Sequence, residues 1–354
     1  MAPSKLFPWF PHARSPIIIN APMMITANAA LATEVTKAGG IGFIGAGFDL
    51  SAASAETGQL KDLANGLTEA RVRLNLPPTA PLPLGVGFIT AHETAPQFAA
   101  HALPILTRHR VAAAWLFAPH PETKPHAAII AALHGAEIRV FVQVGNVSAA
   151  REAVQDGADV LVAQGVDAGG HQFERGCGVV ALLPEVRALL ANEFPDRHVA
   201  VVAAGGIVEA SGVAAAVALG AEGVVMGTRF IATPEAGFAD EYKALVVKTT
   251  DGGVSTWKTP FHDRLAANGL WKPGFDGRAI VGDIHREHMK GGVTVEESRE
   301  RLKTGWSEEE AKFMVGKWAG AGVGLVKDIK PASEVVTEAR EGARRIIHEL
   351  AEGL

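Results

Sequence analysis

The sequence predicts an α/β fold, a (β/α)8 TIM barrel that carries a small, mostly helical insertion after its eighth strand. Three observations carry that prediction. Short apolar runs alternate with longer Ala-rich, charge-bearing segments eight times before residue 230, the pattern of a parallel sheet covered by helices. The runs are nearly continuous in apolar residues, as strands buried on both faces must be. Glycine accounts for 39 of 354 residues without a three-residue period, and several stand where a strand would turn into a helix. An open doubly wound sheet shares these signals, because periodicity does not report closure.

The elements follow in order. Residues 17–23 make the first strand and 28–37 its helix, and residues 41–46 make the second, with a long polar-faced helix between 51 and 74. The third strand is 84–89 with a helix at 97–108, and the fourth is 113–117 with a helix at 127–133. The fifth is 139–144 with a helix at 148–155, and the sixth is 160–163 with a helix at 184–192. The seventh, 199–203, is followed by a helix at 212–219, and the eighth is 223–226.

After Phe230 the pattern breaks. Residues 240 to about 315 are richer in charge, Trp and Gly, without strand alternation, and ESRERLKTGWSEEEAKFMVGKWAG reads as two short helices, the second starting near Ser307. Residues 331–352 then supply the last outer helix. The expected organisation is a barrel from 1–239 and 319–354, with residues 240–318 as a substrate-side subdomain beside the C-terminal ends of the strands, where barrel active sites lie.

Composition narrows the class. Hydrophobic residues at 48% and charged ones at 20% exclude a mostly disordered chain. The 33 Lys+Arg against 38 Asp+Glu, a net charge of -5, exclude a generally basic nucleic-acid binder. Cys177 is the one cysteine, so neither an internal disulfide nor a cysteine-built zinc site is possible. The opening MAPSKLFPWFPHARSP lacks the apolar core of a signal peptide, and the least polar long stretch, 27–48, contains Glu34 and Lys37. The closing AEGL is not a peroxisomal or ER address. A cytoplasmic protein with no membrane or nucleic-acid partner is expected, with its oligomeric state open.

Four segments at predicted strand ends carry the chemistry: Ala21-Pro22-Met23-Met24, Gln164 to His171, Ala203 to Ile207, and Val225-Met226-Gly227-Thr228-Arg229-Phe230. In such barrels a phosphate commonly binds at the loops after strands seven and eight. Gly205-Gly206 and Gly227-Thr228 would form that cradle, since glycine lets backbone N–H groups face an anion unobstructed. Simple tight turns would use the same glycines. No Walker lysine and no strand-following G-x-G-x-x-G is present, which leaves a barrel-bound phosphorylated cofactor. FMN is the commonest organic one that also performs redox chemistry.

His171 is the sharpest single residue, just past a strand end behind Gly169-Gly170, with an imidazole suited to removing a proton near neutral pH. Gln164 is placed to hydrogen-bond a flavin edge. The chain has 13 histidines, and most such residues are solvated or structural. His92 and His120 also follow predicted strands, with a surface role favoured. Cys177 reads as an ordinary thiol. Asp167 is either a supporting acceptor or a turn residue, and Arg229 either meets the phosphate or caps the rim.

At these segments the sequence resembles the nitronate monooxygenase (2-nitropropane dioxygenase-like) family of FMN-dependent barrel enzymes. The likeness runs through APMM, LATEVTKAGGIGFIG, PLGVGF, QGVDAGGHQ, AAGGI, ALGAEGVVMGTRF, GLWKPGFDGRAI and WAGAGVGLV. It implies FMN held around Pro22, Met23, Met24, Gln164, Gly169, Gly170, Gly205, Gly206, Val225, Met226, Gly227 and Thr228, with His171 as the catalytic base and no metal. One departure stands out: Gly87 occupies a position where many bacterial members carry Asn, which removes one expected side-chain contact to FMN.

The implied reaction takes a nitroalkane whose α-proton passes to His171, or a preformed nitronate, and with O2 yields a carbonyl compound and nitrite. Trp257, His262, Trp271 and Arg278 of the insertion are candidates to close the pocket, with core packing the competing role for the tryptophans. The alternative activity within the superfamily is an FMN-dependent NAD(P)H reductase acting on a quinone or enoyl thioester. An inactive flavin-binding barrel acting through its insertion is the non-enzymatic reading.

Overall fold

The computed structural model describes residues 4–307, 311 and 315–353. Eight parallel strands form one sheet: β1 (Ile18–Asn20), β2 (Phe43–Gly47), β3 (Leu82–Ile89), β4 (Val111–Phe117), β5 (Arg139–Val144), β6 (Val160–Gln164), β8 (Ala200–Ala204) and β9 (Val224–Met226). Their order is β1-β9-β8-β6-β5-β4-β3-β2, so each strand lies beside its sequence neighbour in the barrel.

The ring closes between the two ends of that order. A single parallel bridge joins Ile19 to Ile41. The side chain of Asn20 continues the seam as a substitute peptide group, its amide donating to the Phe43 carbonyl (2.8 Å) and its oxygen accepting from the Phe43 N–H (2.9 Å). Asn20 is fully buried, so this exchange satisfies groups that have no access to water.

Period-two alternation sorts the apolar strands into two cores. In β4, Ala113, Trp115 and Phe117 face the barrel interior while Ala114 and Leu116 face the outer helices. The same split holds Val160 and Val162 inside and Leu161 and Ala163 outside. Phe43, Trp115 and Phe141 fill the interior with ring centroids 5.1 to 6.1 Å apart. Phe10, from the segment before β1, adds a fourth ring 6.2 Å from Phe141. Nothing in the barrel interior is therefore a pore.

Several outer elements differ from expectation. The long helix expected at 51–74 is two, Ala52–Thr57 capped by Ser51 and Gln59–Arg73, separated at Gly58. The helix after β6 starts at Val179, earlier than expected. The larger difference is a second sheet. Residues 170–173 form a short strand, β7 (Gly170–Phe173), in place of a loop. It pairs antiparallel with β11 (Phe275–Ile280), which pairs antiparallel with β10 (Thr256–Thr259). Charge-rich, Trp-bearing segments hide these two strands, because no local alternation marks them and the sheet is anchored to the barrel only through β7, about a hundred residues before β11. Helices Asp240–Lys248, Gly252–Ser255, Phe261–Leu265, Asp283–Met289 and Val295–Thr304 are the other described helices of the inserted segment. The helix expected to follow Ser307 falls on residues 308–314, of which only 311 is among the described residues. The final helix is Ala332–Gly353.

Candidate functional site

A cavity of about 520 Å³ opens at the C-terminal ends of the barrel strands, within the range of small-molecule and cofactor sites of roughly 300–1,000 Å³. The strand-end segments form its floor, and residues from the inserted segment, among them Asn268, Leu270, Trp271 and Trp318, form its roof. Pro22, Met23, Met24, Gln164, Gly169, Gly170, His171, Gly205, Gly206, Val225, Gly227 and Thr228 all line it. Met226 does not. Alternation along β9 turns Val225 inward and Met226 outward into the layer between barrel and helices, and the Met226 carbonyl is taken by the Ala21 N–H at 3.0 Å.

One wall is a set of unpaired amides. The N–H groups of Gly205, Gly206 and Gly227 have no acceptor among the described residues. Gly205 and Gly206 both adopt positive φ, +105° and +74°, a turn that side-chain-bearing residues rarely make. A Cβ on Gly206 would also lie 2.9 Å from that of Asp167. The Thr228 hydroxyl oxygen accepts from the Gly320 N–H at 3.0 Å, which leaves its own proton free to donate. Arg229 takes no part. Its guanidinium is turned away to the Asp328 carboxylate (2.7 Å) and carbonyl (2.9 Å).

The opposite wall holds His171. Its Nε2 lies 2.9 and 3.0 Å from the two carboxylate oxygens of Asp263, a residue of the inserted helix Phe261–Leu265. With Nε2–H donating, the neutral ring keeps its lone pair on Nδ1, and Nδ1 has no hydrogen-bond partner among the described residues. The indole of Trp271 stacks on the imidazole with centroids 3.6 Å apart and planes 10° apart, and Trp318 leans against it at 4.3 Å. Burial pushes the His171 pKa below its ordinary 6.5, and the Asp263 carboxylate opposes that shift without cancelling it.

A hydrogen-bonded line connects this wall to the barrel. Trp115 Nε1 donates to Gln143 (3.1 Å), Gln143 donates to Gln164 (2.8 Å), and Gln164 donates to the His171 carbonyl (3.3 Å). Since indole N–H only donates, the orientation of both amides is fixed. Apart from Thr26, Thr228 and Asn268, the rest of the lining is glycine, apolar or aromatic. Among the described residues that line the cavity, His171 is the one titratable group, and none is Lys, Arg, Asp or Glu.

The remaining candidates separate cleanly. His92 bonds Thr94 (2.9 Å), His120 accepts from the backbone of Glu122 and Thr123, and neither lines the cavity. Cys177 is also outside it, with a thiol pKa raised by burial. Asp167 supports from behind, its carbonyl accepting from the Ala321 N–H at 2.9 Å. Of the inserted candidates only Trp271 reaches the cavity. His262 is buried against His285, its Nδ1 3.0 Å from the His285 Nε2, and Arg278 donates to the Val166 carbonyl at 3.2 Å. Asp263 and Trp318 were not singled out by the sequence. Nothing local marks Asp263, which sits 92 residues from His171.

Gly87 lines the floor beside Pro22. A Cβ there would lie 2.3 Å from the Pro22 Cβ, so the proline ring fills the space that a side chain at 87 would need.

A closed parallel barrel, a glycine-walled chamber at its C-terminal mouth and a buried histidine–carboxylate pair together define a (β/α)8-barrel enzyme. Among such enzymes, the chain belongs to the nitronate monooxygenase family, whose model matches residues 10–341. It is 44% identical to the nitronate monooxygenase of Neurospora crassa, over 98% of this chain and 94% of that one. It is 35% identical to nitronate monooxygenase npaC of Metarhizium robertsii, over 97% and 94%. Among solved structures its fold is similar to FabK from Thermotoga maritima (TM-score 0.75, 23% identity, all of both chains). It is also similar to a nitroalkane oxidase from Streptomyces ansochromogenes (TM-score 0.71, 24% identity, 98% and 99%).

Proposed function

We propose that this chain is an FMN-dependent nitronate monooxygenase that converts alkyl nitronates, and neutral nitroalkanes after deprotonation, to carbonyl compounds and nitrite with O2. The single observation that carries this reading beyond family membership is the geometry of His171. Its Nε2–H is fixed on Asp263, its Nδ1 has no partner among the described residues, and it is the only titratable group among the described lining residues.

The cavity fits FMN. The unpaired amides of Gly205, Gly206 and Gly227 suit phosphate oxygens, as backbone donors at a barrel phosphate site do. Gln164, Pro22, Met23 and Met24 would meet the flavin ring, with Gly169, Gly170, Val225 and Thr228 around it. Bound there, FMN would supply the redox chemistry of the reaction, with O2 as the oxidant.

The chain's own residues do the rest. Nδ1 of His171 accepts the α-proton of a neutral nitroalkane, the C–H electron pair remaining on the substrate as nitronate. Asp263 holds the ring in the tautomer that leaves Nδ1 free and stabilises the imidazolium that forms. Trp271, Trp318, Leu270 and Phe117 exclude water from the chamber. A preformed nitronate omits the proton step, so it needs His171 less.

The uncharged lining favours this activity over the NAD(P)H-dependent reductase, because the phosphates of a dinucleotide or an acyl carrier find no Lys or Arg among the described lining residues. No helix among the described residues is long and apolar enough to cross a membrane.

The test is direct. Purified protein should show a flavin spectrum, and propyl nitronate should drive oxygen uptake and nitrite release without NADH. His171→Asn should abolish most turnover of neutral nitroalkane while sparing nitronate. Absence of flavin binding, or rapid NADH oxidation with a quinone or enoyl thioester and no nitrite from nitronate, would overturn it.

A further inference from the structure

Three groups enclose the His171 imidazole, and each acts on a different part of it. Asp263 occupies the Nε2 edge, Trp318 leans on the ring at 4.3 Å and 51°, and Trp271 covers one face at 3.6 Å and 10°. The Asp263 contact accounts for the tautomer. The near-parallel Trp271 stack adds something that neither hydrogen bonding nor exclusion of water requires.

A neutral imidazole over an indole gains dispersion. An imidazolium in the same place gains, in addition, the attraction between its positive ring and the negative face of the indole, strongest for Trp and strengthened where water is excluded. The contact therefore discriminates between the two protonation states of the ring. Burial discriminates in the opposite direction, since it penalises the charged form.

The other charged and titratable groups around the ring come from three places. Helix Phe261–Leu265 brings Asp263 and His262. Strand β11 brings Asp276 and Arg278, which pair in register with Gln172 and Gly170 on either side of His171. Strand β10 brings Lys258, which meets Asp276 at 2.6 Å. Asp263, hydrogen-bonded to Nε2, and behind it Asp276 both favour the charged ring, and the Trp271 face is a further feature that favours the cation. Trp271 is itself held from behind by Phe117 and Phe275, at 5.9 and 6.4 Å.

We propose that Trp271 is a positioning residue that sets the strength of His171 as a base, its indole face sustaining the imidazolium that proton transfer creates. The consequence for activity rests on the function proposed above, but the consequence for His171 itself does not. In the proton step, the substrate C–H bond breaks, its electron pair stays on carbon and nitro group, and the proton bonds to Nδ1. Trp271 exchanges no atom. It lowers the energy of the ring once charged.

The experiment measures both consequences in the full-length protein loaded with FMN. Ring resonances of isotopically labelled histidine are titrated in the parent, Trp271→Leu and Trp271→Phe proteins, with His171→Asn providing the assignment. Trp271→Leu is expected to lower the His171 pKa by about one unit, a tenfold change in proton affinity. It should also reduce kcat/KM for a neutral nitroalkane by about the same factor beyond whatever loss the altered cavity wall imposes on propyl nitronate, which needs no proton transfer. Trp271→Phe, which keeps an aromatic face, should restore part of both.

Because leucine at 271 can disturb folding, a second measurement replaces the tryptophans with fluorotryptophan, which preserves shape and weakens the ring face. The His171 pKa should again fall. An unchanged His171 pKa in Trp271→Leu or in the fluorinated protein overturns the proposal, as does an equal loss on nitroalkane and nitronate. If the parent protein turns over neither substrate, the proposed function fails while the titration still decides the role of Trp271.

Discussion

Asp263 presents both carboxylate oxygens to Nε2 of His171, at 2.9 and 3.0 Å, from a helix 92 residues further along the chain. The inserted segment thus does more than cover the barrel mouth. It completes the wall on which the candidate base stands, and it decides which ring nitrogen faces the cavity.

Replacing Asp263 with Asn tests that contact. The amide leaves the volume nearly unchanged but removes the charge that raises the His171 pKa. Turnover of a neutral nitroalkane should fall by about a hundredfold, within the range general-base catalysis contributes, and propyl nitronate should lose less than about threefold. In the parent enzyme, kcat/KM for the nitroalkane should fall as pH drops through a value below the ordinary 6.5 of histidine, because only the neutral ring accepts a proton. In Asp263→Asn that acid limb should move to still lower pH. Steady-state profiles over pH 5 to 8, the range in which histidine ordinarily titrates, decide both points.

Gly87→Asn tests the packing of the cavity floor. Any Cβ at this position would sit 2.3 Å from the Pro22 Cβ, so the Pro22–Met24 segment must move. Overpacking of this kind costs about 1–3 kcal/mol. If that segment holds the flavin ring, the Kd for FMN should rise about tenfold, read by quenching of flavin fluorescence on titration with apoprotein. An unchanged Kd would remove Pro22–Met24 from the cofactor site.

Asn20→Ala tests barrel closure. The substitution leaves the buried N–H and C=O of Phe43 without partners, and each such loss costs about 1–3 kcal/mol. Urea unfolding should show a total destabilisation of about 2–6 kcal/mol. Asn20→Asp should not restore it, because a carboxylate accepts from the Phe43 N–H but cannot donate to the Phe43 carbonyl.

Acid should destabilise the protein through its buried neutral histidines. His285 is held to about 3 by burial and by nearby His262, Lys317, Arg286 and His288, and His126 is held to about 4 by burial. In the unfolded chain both return to about 6.5 and bind protons more readily. Their contribution is thus present in full above pH 6.5 and is lost as pH falls toward the folded values, at about 1.4 kcal/mol per unit for each histidine. Urea midpoints between pH 7 and 4 should fall accordingly. His126→Gln should flatten that decline if its hydrogen bond with Thr90, 2.8 Å in the parent, is kept.

The local sequence determined the strands of the barrel, though not its closure. The apolar runs at β1 to β6, β8 and β9 are buried on both faces, and that requirement is written into each run without reference to any other. It also placed the glycines of 205–206 and 227 and the His171 segment at strand ends, because a strand-to-helix turn has a local signature. Tertiary structure alone decided how those ends are completed. The Asn20 seam depends on a strand 23 residues away, and β7 exists only because β11 pairs with it. Asp263, Trp271 and Trp318 converge on His171 from the far side of the insertion, and Met226 turns outward where Val225 turns in. Contacts between distant segments leave no periodic trace in either one. Their identity becomes visible only when the chain has folded them against each other.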